Sequence, residues 1–427
     1  DRYLLEMSAR YDASSRFPKS NRWGFFPSIS GGWIVSQEDF FDVPMINNLK
    51  LRVSWGTLGN QNIGNYPYQQ VLTLGMNVPF GVSEVLWPGA AATVVPSTNI
   101  TWESTKVANV GFDLSLFDNK MTLTADYYNK ETSDILYNVT ASKILGMTPS
   151  VQNAGTVVNK GIDLSIQHRN IIGDFSYSIA GNLSYVKNRV KKLANVERDI
   201  DGGLFVGYSL ESIYGYVTDG FFNSQEEIDN YAKQPRTAKP GDLKLVDISG
   251  PDGVPDGVVN ADYDRKIIGD KFPNWNFGLN MNVGYKQVDF LLNMSGVAGM
   301  HRLIDGFQAN AFYWGSNPQE WMAKGHWTET NHDATYPRML ILGGNEQQLY
   351  TSTYRLMNAS FLRINDIQIG YTFPSSQIHF LGMSNLRLYA SVKNVVTFHN
   401  YLEGWDPERR SQYPAVRDFM FGINVTF

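Results

Sequence analysis

The segment NWNFGLNMNVGYK places Trp275, Phe277, Leu279, Met281, Val283 and Tyr285 on one side of an extended chain and Asn276, Gly278, Asn280, Asn282 and Gly284 on the other. Side chains of a strand alternate between two faces, so this stretch is a strand with one apolar and one polar surface; a helical face would not collect the same residues. The same period recurs in Tyr3–Tyr11, Leu49–Trp55, Val110–Leu116, Met121–Tyr127, Ile162–Ile166, Phe175–Tyr185, Val288–Met294, Leu386–Val392 and the closing RDFMFGINVTF. Noisier runs near Phe25–Trp33 and Leu362–Tyr371 bring the expected total to about twelve strands, and a change of phase between Ile364 and Ile367 predicts a β-bulge.

The connections alternate in length. Short polar turns at 117–120, 169–174 and 286–287 are interleaved with long loops near 57–104, 129–158, 187–270, 297–353 and 397–416. Short turns at one end and long loops at the other are the habit of outer-membrane β-barrels. A soluble antiparallel sandwich also alternates polar and apolar faces. Three features favour the transmembrane antiparallel β-barrel: the strand length, the small neutral residues of the polar face, and aromatics near the ends of the apolar face (Trp33, Trp55, Tyr127, Tyr185, Trp275, Tyr285 and Tyr371). A closed barrel has no free edge, so the last strand, with Phe419, Phe421, Ile423, Val425 and Phe427 on one face, is expected to serve barrel assembly by pairing with the first.

Composition removes other classes. The chain has 41 acidic and 36 basic residues and no basic run, so it carries no footprint for a nucleic-acid backbone. With no Cys it has no disulfide, no thiol nucleophile and no Cys-ligated zinc. No apolar run approaches a membrane-spanning helix. G-x-S-x-G, Walker A, G-x-G-x-x-G and H-E-x-x-H are all missing, which leaves hydrolase, NTPase, dinucleotide and zincin readings without support. The chain opens inside an alternating strand and reads as the later portion of a longer polypeptide.

Seven segments, in order, resemble the signature segments of the SusC/RagA-type TonB-dependent transporters of Bacteroidota: YDASSRFPKSNRWGFFPSISGGWIVSQEDFF, TWESTKVANVGFDLSLFDNKMTLTADYYNKETSDIL, QNAGTVVNKGIDLSI, IYGYVTDGFF, KPGDLKLVDISGPDGVPDG, YRLMNASFLRINDIQIGYTFP and LRLYASVKNVVTF followed by GWDPE. The resemblance covers essentially all of residues 1–427. It implies an integral outer-membrane importer with a plug inside a barrel of about 22 strands, of which this chain gives the last twelve or so. It further implies TonB contact through the N-terminal part, a SusD-like surface lipoprotein as a lid, dimers of such pairs, and an oligosaccharide or oligopeptide as cargo. No covalent chemistry and no obligatory cofactor are implied.

Two loops hold candidate sites. DISGPDGVPDGVVNADYD offers Asp247, Asp252, Asp256 and Asp264 as calcium ligands, since a hard cation wants many oxygens and glycines allow the turns between them; the alternative is a solvated acidic turn. AFYWGSNPQEWMAKGHWTETNH concentrates Tyr313, Trp314, Trp321 and Trp327, expected to stack on cargo unless they pack the loop or a lid; His326 and His332 lack metal-binding helical spacing. In GWDPE, Trp405 is expected to anchor the loop while Asp406 and Pro407 set a turn. Import stands against two other functions: a passive or adhesive barrel whose loops bind partners, and a soluble sugar-binding or hydrolytic β-protein.

Overall fold

The computed structural model describes residues 2–137, 144, 146–194, 196–200, 202–341, 347–408, 413 and 415–427. Twelve strands form one antiparallel sheet in chain order: β1 (Tyr3–Ala13), β2 (Trp23–Ile34), β3 (Ile46–Asn60), β4 (Glu103–Leu116), β5 (Met121–Tyr137), β6 (Gln152–Ile172), β7 (Phe175–Leu193), β8 (Trp275–Tyr285), β9 (Val288–Ala298), β10 (Phe361–Thr372), β11 (Asn385–His399) and β12 (Asp418–Thr426). Every expected strand is present. β1 and β12 end the sheet, each with one neighbour among the described residues.

Register keeps the apolar face continuous. Leu51 lies opposite Phe112 and Val53 opposite Val110 across β3 and β4. Leu183 lies opposite Phe277 across β7 and β8, and Leu388 opposite Ile423 across β11 and β12. Aromatics terminate this face at both ends: Tyr11 stacks on Trp23 at 4.7 Å and Tyr185 meets Trp275 at 4.6 Å at one end, while Tyr3, Trp33, Tyr285 and Tyr371 stand at the other. The register slips between Ile364 and Asp366 on β10, which is the expected bulge.

The long connections and the short ones lie at opposite ends. Gly173 and Asp174 alone join β6 to β7, with Gly173 at φ 59°, and Lys286 and Gln287 alone join β8 to β9. The alternating runs are shorter than the strands that contain them, most of all at the long-loop end: β5 continues past Tyr127 to Tyr137, β6 starts at Gln152 rather than Ile162, and β7 continues past Tyr185 to Leu193. Beyond Tyr127 and Tyr185 charged and polar residues dominate and the apolar ones (Ile135, Leu136, Val186, Val190, Leu193) no longer recur at every second position, so alternation fades from the sequence although backbone pairing continues.

Buried apolar clusters sit in the long connections and the strand extensions that meet them. Phe17, Ile63, Ile100 and Trp102 pack together above β1–β4. Val157, Val190 and Leu193 hold Leu204, Val206 and Leu210 against the extended β6–β7 ribbon. Tyr216, Leu245 and Val259 form a third cluster, and Ala311, Met322 and Tyr336 a fourth. The β7–β8 and β9–β10 connections interlock: Tyr216 N donates to the Thr351 carbonyl at 2.9 Å, Thr218 N donates to Thr353 Oγ1 at 2.9 Å, and Arg338 pairs with Asp242 at 2.6 Å. They form one packed cap over one end of the sheet.

Candidate functional site

The polar face of the sheet carries fixed charges. Arg52 on β3 stands in register with Gly111 on β4, which is in register with Asp126 on β5. The guanidinium donates Nε to Asp113 Oδ2 at 2.8 Å and Nη2 to Asp113 Oδ1 at 3.1 Å. It also reaches across β4 to Asp126, with Nη1 to Oδ1 and Nη2 to Oδ2 both at 3.0 Å. Gly111 makes that reach possible, because a Cβ there would collide with Asp126 Oδ1 and lie 2.7 Å from the Ala125 carbonyl oxygen.

The device is repeated. Arg387 on β11 pairs with Asp289 on β9 over Gly370 on β10, donating Nε to Oδ1 at 2.9 Å. A Cβ on Gly370 would lie 2.5 Å from both Asp289 Oδ1 and Arg387 Nη2. Nearer the long loops, Arg363 on β10 pairs with Asp406 at 2.7 Å and Glu408 at 2.6 Å, both in the β11–β12 connection. Bidentate guanidinium pairs have narrow geometry, so each cluster fixes the relative position of the strands or loops it joins.

The cap places the aromatic candidates differently. Trp327 is buried, with Nε1 donating to Asn223 Oδ1 at 2.9 Å and its ring stacked on His332. Trp321 packs edge-on against Tyr336 and donates Nε1 to Gln319 Oε1 at 3.2 Å. Both hold the cap together. Trp314 is 88% exposed and lies parallel to Tyr313 at 5.6 Å, so of the four aromatic candidates it is the one that stands open to solvent. Burial pushes the Tyr336 phenol upward in pKa, against the smaller opposing pull of the Ala311 N–H that donates to its oxygen; the hydroxyl in turn donates to the Ala309 carbonyl.

The four aspartates are not brought together as a metal cage. Asp264 is fully buried and its carboxylate accepts from Ile248 N at 2.8 Å, Ser249 N at 3.2 Å and Asn260 N at 2.7 Å. Asp247 accepts from Gly257 N at 2.7 Å, Asp256 accepts from Val258 N at 3.0 Å, and Asp252 is exposed. Among the described residues no group of three or more His, Asp or Glu side chains converges to hold a metal. Asp264, Asp256 and Asp247 Oδ2 thus accept from backbone N–H groups of their own loop, while Asp247 Oδ1 is buried with no partner among the described residues. In GWDPE, Trp405 Nε1 donates to Gln319 Oε1 at 3.1 Å and Asp406 Oδ1 accepts from Glu408 N at 2.8 Å, a loop anchor and a turn.

The TonB dependent receptor-like, beta-barrel family profile matches residues 1–395. The chain belongs to that family. It is 30% identical to the TonB-dependent receptor P3 of Formosa agariphila, covering 100% of this chain and 44% of the relative. It is 29% identical to the TonB-dependent receptor SusC of Bacteroides thetaiotaomicron, covering 100% of this chain and 42% of the relative. The fold superposes on a RagAB peptide transporter structure with TM-score 0.81 at 24% identity, covering 100% of this chain and 46% of that one. This SusC/RagA-like chain therefore spans less than half the length of these relatives.

Family membership orients the molecule. The TonB-dependent receptor barrel is integral to the outer membrane, so the apolar face meets lipid and the polar face lines the lumen. Trp275 to Tyr285 is ten steps along β8; at about 3.3 Å per residue and a tilt of about 40° that is about 25 Å of height, which matches an outer-membrane apolar band. Outer-membrane barrels carry their longer loops on the extracellular side, and the cap stands at the long-loop end of this sheet. At the short-turn end of the wall a groove of about 830 Å³ has Arg169, Asn282, Asp289 and Arg387 in its lining beside Tyr177 and Phe290. No helix of the described residues is long and apolar enough to cross a membrane. Crossing is done by strands.

The paired charges of the wall escape sequence reading. Arg52, Asp113 and Asp126 lie 74 positions apart at their extremes, and only register brings them together. A signal exists in retrospect: a Gly on the polar face, with an Arg and an Asp on the strands either side of it.

Proposed function

We propose that this chain is the C-terminal wall of a TonB-dependent importer that carries an oligosaccharide or oligopeptide across the outer membrane. The observation that supports this most directly is the combination of a packed extracellular cap with a lumen wall whose charges are locked in bidentate pairs. A passive pore has no need of an organised roof. An adhesin has no need of a patterned lumen. The wall's fixed groups suit a plug that seats against them and is displaced when energy arrives.

In this reading the remainder of the protein supplies the plug, the TonB contact and the earlier strands, and β12 pairs with the first strand of the barrel through its unpartnered edge. Its residues Phe419, Phe421, Ile423, Val425 and Phe427 then face lipid. A SusD-like surface lipoprotein closes over the cap, and two such pairs associate. The chain performs no covalent chemistry. RagAB is described as a peptide transporter, and peptide stands beside oligosaccharide as a cargo class here.

The test is uptake in isogenic strains. Deleting the gene or inactivating TonB is expected to abolish accumulation of the same labelled oligosaccharide or peptide pool, with a lipid-modified partner co-purifying in detergent. Uptake that survives loss of TonB overturns import in favour of a passive pore.

A further inference from the structure

We infer that the outward face of β4–β7, at the long-loop rim of the lipid-facing band, binds the phosphorylated headgroup of an outer-leaflet glycolipid. This rests on the orientation that family membership gives the wall, and it is independent of the import reading. Ile162 on β6 and Tyr185 on β7 lie opposite each other at the aromatic end of the apolar face, in register with Tyr127 on β5 and Trp275 on β8. Two residues further along the same face, Lys160 stands directly opposite Lys187, and both are exposed. Facing residues of an antiparallel pair leave the sheet on the same side, so the two ammonium groups share one small area. Two residues of a tilted strand rise about 5 Å, which sets the pair just beyond the aromatic girdle, at headgroup level.

The next row outward is also basic. Lys106 on β4 lies opposite Glu131 on β5, Glu131 opposite Val158 on β6, and Val158 opposite Arg189 on β7. Glu131 is the one carboxylate in these two rows, and Lys191, at the β7 bulge, pairs with it at 2.9 Å. Arg189 Nε donates to the Gly207 carbonyl at 2.8 Å, which holds the guanidinium at the rim. Among the described residues no carboxylate pairs with Lys106, Lys160 or Lys187.

Like charges directly opposite each other destabilise a strand pair, and nothing in the pairing of β6 with β7 calls for lysine at either position. An anion from outside the sheet accounts for them. Elsewhere the same rim is neutral: the outward face ends on Ala13 and Trp23 at β1–β2 and on Trp275 and Ala298 at β8–β9. The charge is thus confined to four neighbouring strands, whereas lysines that only snorkel toward water would have no reason to gather there. A second copy of the chain packed on this face about a two-fold axis would set the same cations against one another. A lipid phosphate offers several oxygens to both lysines at once, while its acyl chains lie along the exposed Ile162, Leu164, Ile166 and Leu183 just below.

The experiment is native mass spectrometry of the full-length receptor in nonionic detergent, titrated with lipid A and with lipid A stripped of its phosphates. Lipid A is expected to bind, and the stripped lipid about tenfold or more weaker. Lys160→Gln with Lys187→Gln should lower lipid A affinity about tenfold or more, and Lys160→Arg with Lys187→Arg should keep it within about threefold. Lys324→Gln, in the cap, should change nothing. Heat-resistant gel mobility reports that each variant is folded; should the double variant not fold, Lys160→Gln alone is expected to lower affinity about threefold. The site is overturned if lipid A does not bind, if the folded glutamine variant stays within twofold of the parent, or if the stripped lipid binds as tightly as lipid A.

Discussion

Val110 on β4 leaves 59% of its surface outside the protein, whereas Val259 in the cap leaves 1%. The two residues are chemically identical and both are stabilising, because their solvents differ. Val110 meets lipid, which is as apolar as itself, so wall stability comes from backbone pairing and the lumen clusters. Val259 has left water, so the cap is held by ordinary apolar burial. One chain thus carries a soluble-type core seated on a membrane-type sheet, and the two parts should respond to opposite insults.

The largest expected effect is on the cap. Phe222 is fully buried there, and Phe222→Ala should cost about 3–5 kcal/mol. Limited proteolysis should open cleavage within 194–274 while the barrel keeps its heat-resistant mobility on gels. Melting of both together would erase the distinction between the two parts. The reverse insult is Val110→Arg, which places a charge on the lipid face and should cost about 2–4 kcal/mol in the wall. Gel mobility should then fail with the cap sequence still protected until the barrel opens.

Gly111→Ala sharpens the comparison from the lumen side. Its Cβ forces Asp126 away from Arg52, and overpacking of this kind costs about 1–3 kcal/mol. The barrel's thermal midpoint should fall with no change in cap proteolysis, and Gly31→Ala, on the lipid face with its nearest contact at 3.5 Å, should do much less.

Two smaller effects belong to the cap. Ser224 Oγ accepts from Glu227 N at 3.1 Å at the start of the short helix Gln225–Asp229, and Ser224→Ala should cost about 1 kcal/mol in the urea midpoint of the cap. Burial alone would raise the Glu227 carboxyl, but the Asn223 N–H and the Lys244 ammonium hold it below the usual carboxylate range. A carboxyl depressed in the folded state contributes stability above its unfolded pKa and loses it as pH falls. The urea-midpoint difference between parent and Glu227→Gln, a few tenths to about 1 kcal/mol at neutral pH, should therefore close as the pH drops through the lowered value.

These two solvents also explain what the sequence discloses. The strands are legible because lipid on one side and a wet lumen on the other force alternation at every step from Trp275 to Tyr285. The cap core is not: Phe222, Leu243, Leu245 and Val259 come from different turns and short strands and share no period. The aromatic loop shows the same limit. Trp314 and Trp327 look alike in the sequence, yet one faces out and one anchors Asn223, because only the folded cap decides which ring finds a partner. The lumen clusters depend on register, which turns and bulges fix and a linear pattern does not display.

Backbone ladders join a strand only to its immediate neighbours. The pairs that cross Gly111 and Gly370 join strands two apart, and they fit only when the residue beneath has no side chain. A slip of β4 by one position would put Val110 or Phe112 under the Arg52 guanidinium, and a slip by two would put Asn109 or Asp113 there. Each glycine therefore works as a keyway that rejects misaligned strands, giving the wall a proofreading element against slips of two positions, which leave the lipid-facing and lumen-facing sets unchanged and which alternation alone does not reject.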